Sequence, residues 1–154
     1  MRGPCCQKGC AVEHTPLEQV IVGVDPGTAK FGLAVLDKGG VCLERYVAST
    51  ADFTVAISAL AAVYAIELFV LGDRTGAGVF RSKLQQAIAS DQRLAQAQIA
   101  MVDEHLSSVQ GRRLYLLDHR KGWRRYVPLG LRTPAVPFDH YVAEVLARRY
   151  LAVK

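Results

Sequence analysis

Apolar positions along this chain fall into short blocks whose period switches between two and about four, and the blocks predict the elements. Val20 to Val24 and Phe31 to Leu36 are apolar runs, each broken by one glycine, and they read as two β-strands. Pro26 and Gly27 punctuate the link, since proline cannot donate to a ladder and glycine tolerates positive φ. Lys38-Gly39-Gly40 then turns the chain into a third strand, Val41 to Ala48, completing an antiparallel meander. After that the period lengthens. Phe53, Ile57, Leu60, Ala61 and Tyr64 share one face of a helix to about Ala65, opened by a capping box at Ser49-Thr50-Ala51-Asp52. Leu68 to Leu71 is a short buried strand. Phe80, Leu84, Ala87, Ile88 and Leu94 mark a helix over about 79–95, and Gln98 to Val102 forms a further strand. Ser107-Ser108-Val109-Gln110 is a second capping box and starts a helix through about His119, weakened at Gly111 by about 1 kcal/mol relative to alanine. The last helix runs from about Phe138 to Ala152, with Ala143, Ala147, Tyr150 and Leu151 on one face and Glu144 and Arg148 as an i,i+4 pair.

The order βββαβαβ predicts an α/β fold. It implies a mixed five-stranded sheet, three antiparallel strands extended by two parallel ones through right-handed crossovers, flanked by helices. The 154 residues suit one domain over residues 18–154, preceded by an aperiodic tail at 1–17. That tail carries Cys5, Cys6, Cys10 and His14, whose spacing matches no zinc module, while Cys42 reads as a core residue. No apolar run approaches the roughly 20 residues of a membrane helix, and no h-region marks a secretory signal, which together point to a cytoplasmic protein.

Charge changes the picture after Glu104. Ten basic residues follow it against only Asp118, Asp139 and Glu144, an imbalance that suits a polyanionic partner. Arg112, Arg113, Arg120, Lys121, Arg124 and Arg125 are candidates for phosphate contact. Trp123, interleaved with them, suits stacking on a base or packing against the core.

Three carboxylates sit where open sheets place ligands, beyond strand ends: Asp25 after the first strand, Glu104 after the last, and Asp139 opening the terminal helix. Each has a structural reading as well. Asp25 can cap its own turn, and Asp139 can satisfy a helix dipole. Set beside the basic C-terminal third, the three suggest metal-assisted phosphodiester chemistry.

VGVDPGTAKFGLAV, VLGDRTG, VDEHLSS and FDHYVAEVLARRYL, in that order, resemble the motifs of RuvC-like nucleases of the RNase H superfamily, above all the YqgF (RuvX) family. Members of that family are described as Holliday junction resolvases and pre-16S rRNA processing nucleases. The likeness spans about residues 19 to 153. It implies an RNase H-like fold with Asp25, Glu104 and Asp139 as catalytic ligands of Mg²⁺ or Mn²⁺, usually a two-metal site. It places Lys30 near a phosphate, and Ser107 and Ser108 at the hydroxyl pair after the acidic motif. Asp73 and Thr75 become secondary candidates. His140 stands where related sequences often show a second acid, and could ligate metal or donate a proton. Structured RNA or branched DNA is the implied partner, with no membrane, and a homodimer would suit a two-fold symmetric junction. Two other readings stay open. One is a nucleic-acid-binding module of the same fold with little catalysis. The other is an actin-like ATPase domain, whose phosphate-binding hairpin DPGTAKFG also resembles, although such proteins pair two of these domains.

Overall fold

A computed structural model describes residues 18–73, 76–120, 128, 134 and 136–153. Its elements follow in the order β1 (Gln19–Asp25), β2 (Lys30–Asp37), β3 (Cys42–Ser49), α1 (Phe53–Val63), β4 (Ala65–Gly72), α2 (Ala77–Ser90), β5 (Gln98–Val102), α3 (Ser107–Asp118) and α4 (Asp139–Val153). The strands form one sheet, ordered β3-β2-β1-β4-β5. β1 pairs antiparallel with β2 and β2 with β3, whereas β4 runs parallel to β1 and β5 parallel to β4. This is the mixed sheet that the order of elements implies.

β1 lies at the centre of the sheet, so both its faces need apolar cover. Val20, Val22 and Val24, with Phe31, Leu33 and Val35 of β2, pack under α1 and α2. Ile21, with Ala34 and Leu36, packs instead under Ala143, Leu146 and Ala147 of α4. Side chains alternate along a strand, so Asp25 belongs to the α4 face. Beneath the other face, Phe31, Phe53 and Phe80 form a ring cluster with centroids 5.0–5.8 Å apart, joining β2 to α1 and α2. Burying each ring is worth about 1.5–3 kcal/mol.

Several boundaries differ from expectation, each for a local reason. The Ser49 hydroxyl accepts from Ala51 N–H at 3.3 Å and caps a 3-10 turn, Thr50–Asp52. α1 begins only after that turn, and its N-cap Asp52 makes no side-chain cap bond. α1 also ends earlier, because Ala65 N–H donates to the Glu18 carbonyl and β4 pairs with β1 from Gln19 onward. Ser107 is the first residue of α3 and not its cap. Leu106 takes the cap position at φ 59°, and the buried Ser107 Oγ has no hydrogen-bond partner among the described residues. Cys42 is half-buried beside the α4-side core and is not fully enclosed.

Glu144 does more than its i,i+4 pairing implies. The i,i+4 pair with Arg148 forms at 2.8 Å, yet the Glu144 side chain is only 2% exposed. Its second oxygen takes the Arg45 guanidinium from β3, which also pairs with Asp118 and lies 3.9 Å over the Tyr141 ring. One arginine thus ties β3, α3 and α4 together.

Candidate active site

Asp25 ends the central strand between two glycines. Gly32 is its antiparallel partner on β2, and Gly72 lies one residue past the Val24–Leu71 pair on β4. Neither glycine could carry a side chain freely. A Cβ on Gly32 would collide with the backbone of Asp139, so the absent side chain is what lets α4 begin against the sheet. A Cβ on Gly72 would lie 3.0 Å from Glu104 Cδ, so the Glu104 carboxyl occupies the space that this glycine leaves. The two glycines therefore bring Asp139 and Glu104 in from opposite sides of Asp25.

The turn after Asp25 is held from behind. Thr50 N–H donates to the Ala29 carbonyl at 3.0 Å, and its hydroxyl donates to the Gly27 carbonyl at 3.4 Å. Lys83 Nζ in turn donates to the Thr50 carbonyl at 3.3 Å. Glu104 is buried just past β5, and its backbone N–H donates to Asp73 Oδ1 at 3.1 Å. Asp73 is thus engaged in bracing Glu104.

The electrostatics report the convergence. Burial, then a hydrogen bond to Glu104, then the charges of Glu104 and Asp139 push the Asp25 carboxyl up to about 8. Burial and neighbouring like charge both disfavour the ionised form of Asp25. Among the described residues, no three His, Cys, Asp or Glu side chains close around one point tightly enough to enclose a metal ion. Asp139 acts on Asp25 through its charge and stands outside the Asp25–Glu104 hydrogen bond. The donor set nevertheless fits a hard divalent cation. It is all oxygen, it is crowded with like charge, and it retains a proton that a cation would replace.

The remaining candidates scatter. Lys30 opens β2, exposed, and lines a cavity of about 440 Å³ with Ala29, Val47, Ala48, Ser49, Pro137 and His140. His140 has a buried Nδ1 without a hydrogen-bond partner among the described residues, and burial followed by the Arg45 charge holds its imidazole below the usual range. That direction favours the neutral ring, the form in which an imidazole ligates a metal, over the imidazolium. Arg112 and Arg113 lie on α3 and Arg120 follows its end, Arg113 and Arg120 exposed and Arg112 half-buried. Thr75, Lys121, Trp123, Arg124 and Arg125 fall outside the described residues, as do Cys5, Cys6 and Cys10.

Sequence reasoning missed Arg149. Its guanidinium donates to the carbonyls of Asp103 at 2.6 Å and His105 at 2.7 Å, the two residues that flank Glu104. In the sequence it is one of ten C-terminal basic residues, and no spacing singles it out.

The sheet order, the antiparallel meander and the helices on both faces define an RNase H-like fold, and solved structures share it. The crystal structure of fowlpox virus resolvase with Holliday junction DNA is similar at a TM-score of 0.55 and 11% identity, over 87% of this chain and 97% of that one. Thermus thermophilus RuvC is similar at a TM-score of 0.50 and 17% identity, over 83% of this chain and 90% of that one. No protein-family model matches the chain, and no curated protein sequence does. At such identities the likeness speaks for the fold.

Proposed function

We propose that this chain is a divalent-metal-dependent endonuclease that cuts phosphodiester bonds in branched DNA, as a Holliday junction resolvase does. On the narrower YqgF-like reading, it cuts structured ends of pre-16S rRNA. The observation that carries the proposal is the meeting of Asp25, Glu104 and Asp139 at the end of the central strand, around a carboxyl pushed up to about 8. A purely structural cluster would gain nothing from crowding three acids, and perturbed carboxyls gather where chemistry needs them.

Asp25, Glu104 and Asp139 would hold Mg²⁺ or Mn²⁺, which when bound supplies Lewis-acid activation of water and charge stabilisation at the phosphate. The chain's own part is placement. The central strand fixes Asp25, the Asp73 bond orients the Glu104 backbone, and the α4 start presents Asp139. Lys30, at the rim of the neighbouring cavity, is placed to meet a backbone phosphate. Arg113 and Arg120 extend the positive surface along α3. Two copies on a two-fold symmetric junction would cut symmetric strands.

A second reading has one observation in its favour. The described side chains do not close around a single point, as a nucleic-acid-binding domain with little catalysis would allow. Matched substrates decide between them: a four-way DNA junction, a linear duplex and a pre-16S rRNA end, each with Mg²⁺, Mn²⁺ or chelator. The proposal expects metal-dependent cuts in the junction or the rRNA end. Salt-sensitive binding with no product under any metal would support the binding module instead.

A further inference from the structure

We propose that Arg149 is a positioning residue that fixes the Glu104 carboxylate by clamping the turn between β5 and α3. The proposal rests on the metal-site reading above, but its geometry stands independently. Nη1 donates to the Asp103 carbonyl at 2.6 Å and Nη2 to the His105 carbonyl at 2.7 Å, so the guanidinium spans the backbone on both sides of Glu104. The same head anchors to Gln110 Oε1 on α3, from Nε at 3.2 Å and Nη2 at 2.9 Å. The guanidinium spreads these four bonds over three nitrogens held in one plane, a span that the single nitrogen of an ammonium cannot reproduce.

The turn needs such a brace. Leu106 sits at φ 59°, a left-handed conformation that a branched-chain residue rarely adopts. Asp103 Oδ1 accepts from His105 N–H at 2.8 Å, and Ser107 N–H donates to the Glu104 carbonyl at 2.9 Å, so the backbone folds tightly around Glu104. Asp73 holds the Glu104 amide from β4's side, and Arg149 holds the flanking carbonyls from α4's side. Glu104 is left with its carboxyl over Gly72 and toward Asp25. α4 therefore does two things for the site. It presents Asp139 in its first turn and, about 15 Å further along, steadies the turn that carries a different carboxylate.

Two measurements test this on the full chain. The first needs no metal: amide hydrogen exchange in wild type, Arg149→Gln and Arg149→Lys. Exchange at Glu104 to Ser107 should accelerate in Arg149→Gln, and less in Arg149→Lys, while the amides of β1 stay protected as in wild type. The second is Mn²⁺ binding by calorimetry, together with junction cleavage. Arg149→Gln should weaken Mn²⁺ binding by about ten-fold or more, lowering kcat with little change in KM for the junction. Arg148→Gln, which removes an equal charge from the same helix, should leave Mn²⁺ binding unchanged. Exchange in the turn unaltered by Arg149→Gln, or Mn²⁺ bound as tightly as in wild type, would overturn the proposal. Wild type that takes up no Mn²⁺ would overturn the metal-site reading, and the exchange result would then judge the clamp alone.

Discussion

Asp25 and Glu104 are both carboxylic acids, and they share a hydrogen bond. In the unfolded chain Asp25 ionises near its ordinary value of 3.8, whereas in the fold it ionises near 8. Between those values the folded state holds a proton that the unfolded state has lost. Metal-free stability should therefore be highest below about pH 4 as far as this group is concerned, and fall by up to about 1.4 kcal/mol per pH unit until about pH 8. Asp25→Asn should remove that slope and be more stable than wild type at pH 8. Urea unfolding of both proteins across pH 4 to 8 in chelator checks it. An equal slope in the two would mean that Asp25 is not the group responsible.

A cation that replaces this proton should reverse the effect. Mn²⁺ should raise the melting temperature of wild type clearly at pH 8, much less at pH 5, and not at all in Asp25→Asn. Thermal unfolding with and without chelator reads it directly, and a pH-independent shift would place the ion elsewhere.

Gly72 offers a way to disturb the site without disturbing the fold. An alanine Cβ would press on the flexible end of Glu104 at 3.0–3.3 Å, so the carboxyl has to give way by a few tenths of an ångström. Gly72→Ala should cost less than about 1 kcal/mol of stability yet lower cleavage on the order of ten-fold or more. Gly32→Ala meets the backbone of α4 instead, and should destabilise the chain more than Gly72→Ala does. Denaturant midpoints and single-turnover rates separate the two outcomes.

Glu144 should behave as a buried anchor. Removing it in Glu144→Ala takes away the buried partner of Arg45, which keeps Asp118, and should cost about 1.5–3 kcal/mol, whereas Arg148→Ala, with its side chain half exposed, should cost under about 1 kcal/mol. Equal losses in equilibrium unfolding would contradict the burial argument.

Periodicity made the fold legible because a two-sided central strand, an antiparallel meander and one-faced helices each write a distinct apolar pattern. The faces of α1 (Phe53, Ile57, Leu60) and α2 (Phe80, Leu84, Ala87) came directly from spacing. Asp25 and Glu104 stood out because each follows an apolar strand. What local pattern could not show is long-range. Ser107 looks like a cap until the tight turn around Glu104 moves the helix start one residue earlier. Glu144 reads as an i,i+4 partner of Arg148, and its place in the apolar VAEVLA segment was a signal of burial that the pairing alone does not carry. Arg149 acts on carbonyls that only the fold brings to it, and no spacing rule connects Arg149 to Asp103.

The central claim is that Asp25 and Glu104 are ligands of a cutting site. Single-turnover cleavage of a labelled four-way DNA junction in Mn²⁺, by wild type, Asp25→Asn and Glu104→Gln, tests it most directly. The account predicts product from wild type alone, with both variants slowed by about 10³-fold or more while still binding the junction. Cleavage by both variants at the wild-type rate would contradict it.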